Sequence, residues 1–176
     1  MDGYRITHCQ SAQLPDWLAL RTALWPDAGD AGHRDEMAAI ATRADALVLL
    51  AFDGTDCAVG LAEASLRRDY VNGTRSSPVA FLESIYVAPA QRGQGLARAL
   101  IAEVERWAVG LGCTELASDA ALANTGSHAM HRSLGFAETE RIVFFLQGPG
   151  MTHASPPLSQ PPLPALESSE TTLTRP

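Results

Sequence analysis

The feature that most constrains the fold is a strand, a glycine turn and a helix that follow one another in the middle of the chain. Residues 79–87 read as a strand because they are rich in Phe, Leu, Ile, Tyr and Val, and Pro89 closes it. Gly93 and Gly95 come next, followed by a helical pattern to about residue 111, which Gly112 fits as the C-terminal cap. The predicted core face of this helix is Leu96, Leu100, Val104, Trp107 and Leu111.

The patterns around this unit predict a mixed α/β (α+β) domain. A short strand at 115–118 completes a β-α-β crossover, so it is expected to run parallel to 79–87. Short turns join the middle strands, which are therefore expected to pair antiparallel, giving a mostly antiparallel central sheet flanked by helices. The other predicted strands are 4–7, 46–52, 59–66 and one or two within 136–146, and the other predicted helices are 14–24, 33–44 and 124–134, with a loop at 26–32.

The chain length of 176 residues fits one domain with a tail. After residue 147 the composition changes to Pro, Ser and Thr, which cannot bury enough apolar area to offset the entropy of ordering. We therefore assign residues 1–147 to a folded domain and 148–176 to a disordered tail.

The net charge indicates which class of partner the chain fits, and the cysteines indicate its cellular compartment. A net charge of -7 argues against nucleic acid and suits a cationic partner, although it also fits plain solubility. Cys9, Cys57 and Cys113 lack the spacing of a zinc or redox motif and are interpreted as reduced core residues of a cytoplasmic protein. No membrane partner is expected, because the longest apolar run, 46–52, is far shorter than a span requires.

The glycine turn has the chemistry of a phosphate site. A helix N-terminus leaves backbone N–H groups unpaired and carries partial positive charge, and glycines let an anion approach closely. The pattern also fits an ordinary helix start. A dinucleotide-binding fold is disfavoured, since Arg98 stands where that motif requires a third glycine.

Further sequence blocks resemble a known family, and this resemblance favours a phosphate site over an ordinary helix start. The sequence Val87-Ala88-Pro89, then Arg92-Gly93-Gln94-Gly95-Leu96-Ala97, and later Asn124 with Gly135-Phe136, resembles the GNAT acetyltransferase superfamily. Its closest similarity is to aminoglycoside 6'-N-acetyltransferases, carried by the blocks 24–26, 70–73, 77–83, 117–119 and 134–141. The resemblance implies a GNAT fold, acetyl-CoA as cosubstrate without a metal, a cationic aminoglycoside acceptor and a homodimer.

The same resemblance implies the cofactor residues. The backbone of Ile85 and Val87 would pair with the pantetheine arm, and a backbone N–H there could stabilise the oxyanion. Asn124 would contact the arm, and Arg98 would add a charged contact to the diphosphate. The diphosphate itself would be held by the backbone of Arg92, Gly93, Gln94, Gly95, Leu96 and Ala97.

Attack requires a neutral amine, so a base must take its proton. Asp119, at a strand end, is the first candidate, with a loop or capping role as the alternative. Glu83 is the second, with a paired structural acid as the alternative. His131 stands where many GNAT enzymes have a tyrosine acid; it could protonate the leaving thiolate, or serve in helix packing or cofactor contact.

Acceptor binding is assigned to acids and aromatic rings. Carboxylates gain from charge-assisted hydrogen bonds to a polycation, and rings can stack on sugars. Trp25 could instead be a core residue at a helix end. The acceptor set is Trp25, Tyr70, Glu83, Asp119 and Glu140.

The implied reaction is direct attack of the 6'-amine on the thioester, which would inactivate the antibiotic. Two alternatives stay open at this point. One is another small-molecule or peptide N-acetyltransferase on the same fold, and the other is a CoA-binding module without catalysis.

Overall fold

A computed structural model describes residues 3–146. Its elements follow one another as β1 (Arg5–His8), α1 (Leu14–Leu24), α2 (Gly29–Ala41), β2 (Ala46–Phe52), β3 (Ala58–Arg67), β4 (Val79–Val87), α3 (Leu96–Gly110), β5 (Leu116–Ser118) and α4 (Thr125–Leu134). The predicted tail, 148–176, lies outside the described residues. Among those described, no helix has both the length and the apolar character that crossing a membrane demands.

The five strands form one sheet in the order β1-β2-β3-β4-β5. The first three pairings are antiparallel and the β4–β5 pairing is parallel, which confirms the predicted mixed sheet and its crossover. The pairing of β4 with β5 ends early, at Leu82 and Ser118, although β4 continues to Val87. The two strands therefore part at this point, which we call the fork.

Helices cover both faces of the sheet. On one face, α3 packs its buried Leu96, Leu100 and Val104 against apolar side chains of β2, β3 and β4. On the other, Trp17 and Leu20 of α1 and Met37 of α2 bury Leu50, Phe52 and Leu61. The apolar positions of each helix recur every three to four residues, so each buries one stripe.

The start of α3 comes unusually close to β3. A Cβ on Gly60 would lie 3.2 Å from Leu96 Cδ2 and 3.3 Å from Leu100 Cδ1, so these two side chains would have to give by a few tenths of an ångström. The glycine therefore suits the close packing of the start of α3 on β3. The predicted cap of α3 is confirmed, because Gly112 takes φ 80°, where glycine is favoured.

Several predicted boundaries and positions are wrong. The helix expected from residue 33 begins at Gly29, since a short 3-10 turn at Pro26–Ala28 leads into it in place of the loop expected at 26–32. Leu111, expected on the core face of α3, follows the end of the helix and is exposed, whereas Ile101 and Ala108 within the helix are buried. Cys57 is exposed, so it is not a core residue.

The strands expected within 136–146 are also wrong. Residues 136–141 close the first compact unit of the chain and contain no strand. Residues 142–146 belong to a second unit and contain none either. A strand exists only through its pairing partners, and an apolar β-prone run does not by itself specify one.

Candidate active site

The open edge of β4 is the centre of the candidate site. Ala88 donates its backbone N–H to Val59 O on the β3 side at 2.8 Å. Because backbone groups alternate along a strand, Ile85 and Val87 direct theirs to the opposite edge. Beyond the fork, that edge has no strand partner within residues 3–146. The backbone groups of Ile85 and the Val87 N–H are therefore open to an extended amide-containing ligand, whereas Val87 O accepts from Arg92. The pairing of Ile85 and Val87 with a pantetheine arm stays a prediction.

The glycine turn lies at the far end of this edge. Gly93 and Gly95 have φ values of 74° and 84°, so both use the left-handed conformation that glycine tolerates. Gly95 caps α3 without a side-chain hydrogen bond, and the first intrahelical bond of the turn is Ala99 N–H to Gly95 O. The N–H groups of Leu96, Ala97 and Arg98 are thus available to an anion, and no acidic residue stands in the first turn.

The arginines near this turn are partly engaged. Arg92 donates Nε–H to Val87 O at 3.0 Å, so its side chain folds back over the end of β4. Arg98 donates to Ser133 O at 2.6 Å, which joins α3 to the end of α4. Gln94 donates to Ala90 O within the turn. The backbone at Gly93, where an added Cβ would meet no atom within 4 Å, stays open on this side.

Asn124 begins α4. Its Oδ1 accepts the Ser127 N–H at 3.0 Å, and this cap explains why the helix starts at Thr125. Asn124 is an exposed residue, and its side-chain NH₂ group makes no hydrogen bond within residues 3–146, so it remains for a cofactor contact.

A β-bulge in β4 places Glu83 and Ser84 on the same face of the sheet. Glu63 pairs with Ser84 and Ala64 pairs with Leu82, so Glu83 is the extra residue. Glu83 accepts hydrogen bonds from Arg67 at 2.8 and 3.0 Å and from the Ser65 hydroxyl. This carboxylate is exposed but already paired.

Asp119 is different. It follows β5 directly and is exposed, and no side chain within residues 3–146 pairs with its carboxylate. Ala117, two residues earlier, packs with Val71, Val79 and Phe81, so it lies on the Glu83 side of the sheet. Residues alternate along a strand, which directs Asp119 to that same face.

The predicted acceptor residues approach this face from separate loops. Tyr70 is 77% exposed and precedes the buried Val71. A Cβ on Gly73 would overlap the Thr139 side chain, so the 70–74 loop touches the segment that carries Glu140. Trp25, 38% exposed at the end of α1, has the Arg21 guanidinium 5.0 Å from its ring centroid.

His131 lies on the other face, in α4. Its Nε2 is 3.0 Å from Ser118 Oγ and its Nδ1 is 2.8 Å from Ser127 O. The ring also meets the Phe136 ring edge-on at 5.2 Å between centroids. The imidazole is therefore held in place close to the fork.

Three residues with contacts here were not predicted as site residues from the sequence. Ser118 contacts His131, Arg67 holds Glu83, and Glu63 is buried under α1. Only Glu63 carried a signal, because a lone acid inside the apolar run 59–66 requires a buried partner.

Comparison with known proteins identifies the family of the chain. The model of the acetyltransferase (GNAT) family matches residues 14–136. The aminoglycoside N(6')-acetyltransferase type 1 of Acinetobacter baumannii is 55% identical over 139 residues, which are 79% of this chain and 94% of that protein.

Two solved structures are similar to this chain in fold. The aminoglycoside antibiotic 6'-N-acetyltransferase AAC(6')-Ih from Acinetobacter baumannii has a TM-score of 0.80 at 53% identity, covering 84% of this chain and 100% of that one. AAC(6')-Iy in complex with the bisubstrate analogue CoA-S-monomethyl-acetylneamine has a TM-score of 0.78 at 41% identity, covering 82% and 98%. The predicted GNAT fold is confirmed, and the chain belongs to the GNAT acetyltransferase family.

Proposed function

We propose that this protein transfers the acetyl group of acetyl-CoA to the 6'-amino group of aminoglycoside antibiotics and so inactivates them. The observation that carries the proposal is the fork, where an open strand edge leading from an anion-binding turn reaches a face bearing free and paired carboxylates. The 6'-N-acetyltransferases that resemble the chain over most of its length support the choice of acceptor.

The residues present fit acetyl-CoA. Unpaired N–H groups at the start of α3 suit the diphosphate, and the Ile85–Val87 edge suits the amides of the pantetheine arm. The bound cosubstrate supplies an activated acetyl thioester. Asn124 would contact the arm through its free NH₂ group, and Arg98 retains N–H groups beyond the one given to Ser133.

We assign the base to Asp119 and acceptor binding to Glu83. A general base needs a free lone pair within reach of the proton, and Asp119 has no side-chain partner in the described part of the chain. Glu83 already accepts from Arg67 and Ser65, so it is suited to orienting a cation. Trp25, Tyr70 and Glu140 would complete the acceptor site.

The acceptor assay compares an aminoglycoside bearing a 6'-amine with a congener bearing a 6'-hydroxyl. We expect acetyl-CoA-dependent thiol release with the amine alone. Turnover of polyamines or peptides, but not of the 6'-amine, would assign a different acceptor. Binding of acetyl-CoA without turnover of any amine would instead indicate a binding module.

The base is tested by the pH profile of kcat/KM in Asp119→Asn beside Glu83→Gln. A general base contributes about 10²–10⁴-fold to the rate, so Asp119→Asn should lose that much in kcat/KM. The acidic limb of its pH profile should also become flatter. Glu83→Gln should mainly raise KM for the acceptor. Glu105→Gln, which changes an exposed acid of α3, is the control. An unchanged rate in Asp119→Asn would remove it as the base.

Two further proposals rest on the family relationship. We propose a homodimer, to be measured by light scattering, and a cytoplasmic location, to be measured by fractionation of an expressing cell. A monomer in solution or a periplasmic protein would contradict them.

A further inference from the structure

Ser118 occupies the fork itself. It is the last residue of β5, and its partner on β4 is Leu82, after which the strands separate. Its hydroxyl donates to Leu82 O at 3.1 Å. A donor arm lying along the open edge would run from the glycine turn past Val87 and Ile85 towards this point, which would bring its acyl end beside Ser118.

His131 contacts the Ser118 hydroxyl from behind. Its Nδ1 lies 2.8 Å from Ser127 O, which only accepts, and 3.2 Å from Ser127 Oγ, which can accept or donate, so either tautomer of the ring has a partner on this side. Its Nε2 lies 3.0 Å from Ser118 Oγ. The opposite side of the ring is thus tied to the helix backbone, and Nε2 faces one hydroxyl.

The hydroxyl has two consistent arrangements. When Nε2 carries no proton, Ser118 donates its own proton to Nε2. When Nε2 carries a proton, Nε2–H donates to Ser118 Oγ, and the Ser118 proton turns to Leu82 O. The second arrangement satisfies both observed contacts at once. It leaves a hydroxyl proton at the fork with the Nε2–H group behind it.

We propose that Ser118 is a catalytic residue that passes a proton from His131 to the departing thiolate of CoA. This inference rests on the proposed acetyl transfer but not on the identity of the amine. When the tetrahedral intermediate collapses, the C–S bond breaks and its electron pair goes to sulfur. The Ser118 O–H proton moves to that sulfur, the His131 Nε2 proton moves to Ser118 Oγ, and neutral His131 is reprotonated from solvent.

The first test compares Ser118→Ala with Ser118→Thr, which keeps the hydroxyl. Because a thiolate of pKa about 8.5 leaves moderately well unaided, we expect a loss at the low end of general acid catalysis, about 10²-fold in kcat for Ser118→Ala. Ser118→Thr should retain most of the rate. KM for both substrates should change little. The control is Thr42→Ala, which removes a hydroxyl that bonds a carbonyl 2.8 Å away in α2.

The second test changes the leaving group. The acetyl selenoester of CoA releases a selenolate, which needs no proton because a selenol is far more acidic than a thiol. The deficit of Ser118→Ala should therefore shrink with this donor, whereas a general distortion of the fork would slow both donors equally. Equal slowing, or a Ser118→Thr variant as slow as Ser118→Ala, would overturn the proposal.

The third test asks whether the two residues act as one unit. The double variant Ser118→Ala/His131→Asn should be no slower than Ser118→Ala alone, because groups of a single relay are non-additive. Multiplied losses would overturn the relay. All assays use whichever primary amine the wild-type protein acetylates, so failure with aminoglycosides would refute the proposed acceptor and leave this test intact.

Discussion

Replacing Glu63 with alanine should strongly destabilise the fold, because its buried carboxylate organises the contact between α1 and the sheet. Glu63 is 3% exposed and accepts from Trp17 Nε1 at 2.6 Å, from Arg21 at 2.7 and 2.8 Å, and from Ser84 at 2.8 Å. Arg21 is 2% exposed, so the truncation leaves a buried charge without this partner.

The expected cost is about 3–5 kcal/mol, the range for removing one partner of a buried ion pair. We expect the upper part of this range. Trp17 N–H and Ser84 O–H lose their acceptor as well, and Arg21 Nε is already buried without a partner within residues 3–146. Arg21 keeps its contact with the Trp25 ring, and its remaining acid partner within residues 3–146 is Glu36, whose side chain is 65% exposed.

Equilibrium unfolding in urea measures this loss. The matched control is Asp56→Asn, which breaks the exposed Arg5–Asp56 pair and should cost less than about 1 kcal/mol. The double variant Arg21→Met/Glu63→Leu removes both charges, so it should be more stable than Glu63→Ala. A loss below about 1 kcal/mol in Glu63→Ala, or a double variant less stable than it, would refute the reasoning.

Three smaller perturbations test other parts of the structure. Hydrogen bonds from Ser76 and Arg75 hold the pKa of Glu115 below its ordinary value of 4.5, so its stabilisation is present above that pH and lost as the pH falls through the folded-state pKa. Urea midpoints below pH 4.5 should therefore fall more steeply in the wild type than in Glu115→Gln, and parallel curves would contradict this. Burial raises the pKa of the Cys9 thiol to about 11, and the nearby acids add to the rise. Iodoacetamide at pH 8 should therefore label the exposed Cys57 before Cys9, as measured by mass spectrometry. Equal labelling of the two thiols would contradict this. Gly95→Ala should lower the free energy of unfolding by about 1–2 kcal/mol in thermal unfolding, because the φ angle of Gly95 is 84°. The same variant should raise KM for acetyl-CoA. An unchanged KM would show that the turn does not bind the cofactor.

The helices whose ends carry a local signal could be predicted well from the sequence. Gly135 ends α4 in the left-handed conformation, and Pro26 follows the end of α1. Both signals act through the backbone of neighbouring residues, so a short window contains the information. The start of α2 carried no such signal, since Gly29 and the residues after it favour a loop by propensity.

The contacts of the candidate site depend on residues far apart in the chain. Trp17 and Glu63 are 46 residues apart, and Ser118 and Leu82 are 36 apart. Periodicity assigns each to its element but does not indicate which side chains meet. Resemblance supplied Asp119 and Glu83, whereas the pairing of Glu83 with Arg67 required the sheet register. This pairing is what distinguishes the two acids.

The bulge at Glu83 explains how one strand serves both faces. Before it, Leu82 faces α3, and Phe81 faces the opposite side. The extra residue shifts the alternation, so that Ser84 stays with Glu63 while Ile85 joins the α3 side. Without the shift, Ser84 would enter the apolar α3 core and Ile85 would meet the buried Glu63, and both costs favour the bulge. The bulge is therefore required by packing, and it leaves Glu83 as the extra residue whose carboxylate is held by Ser65 and Arg67 of β3.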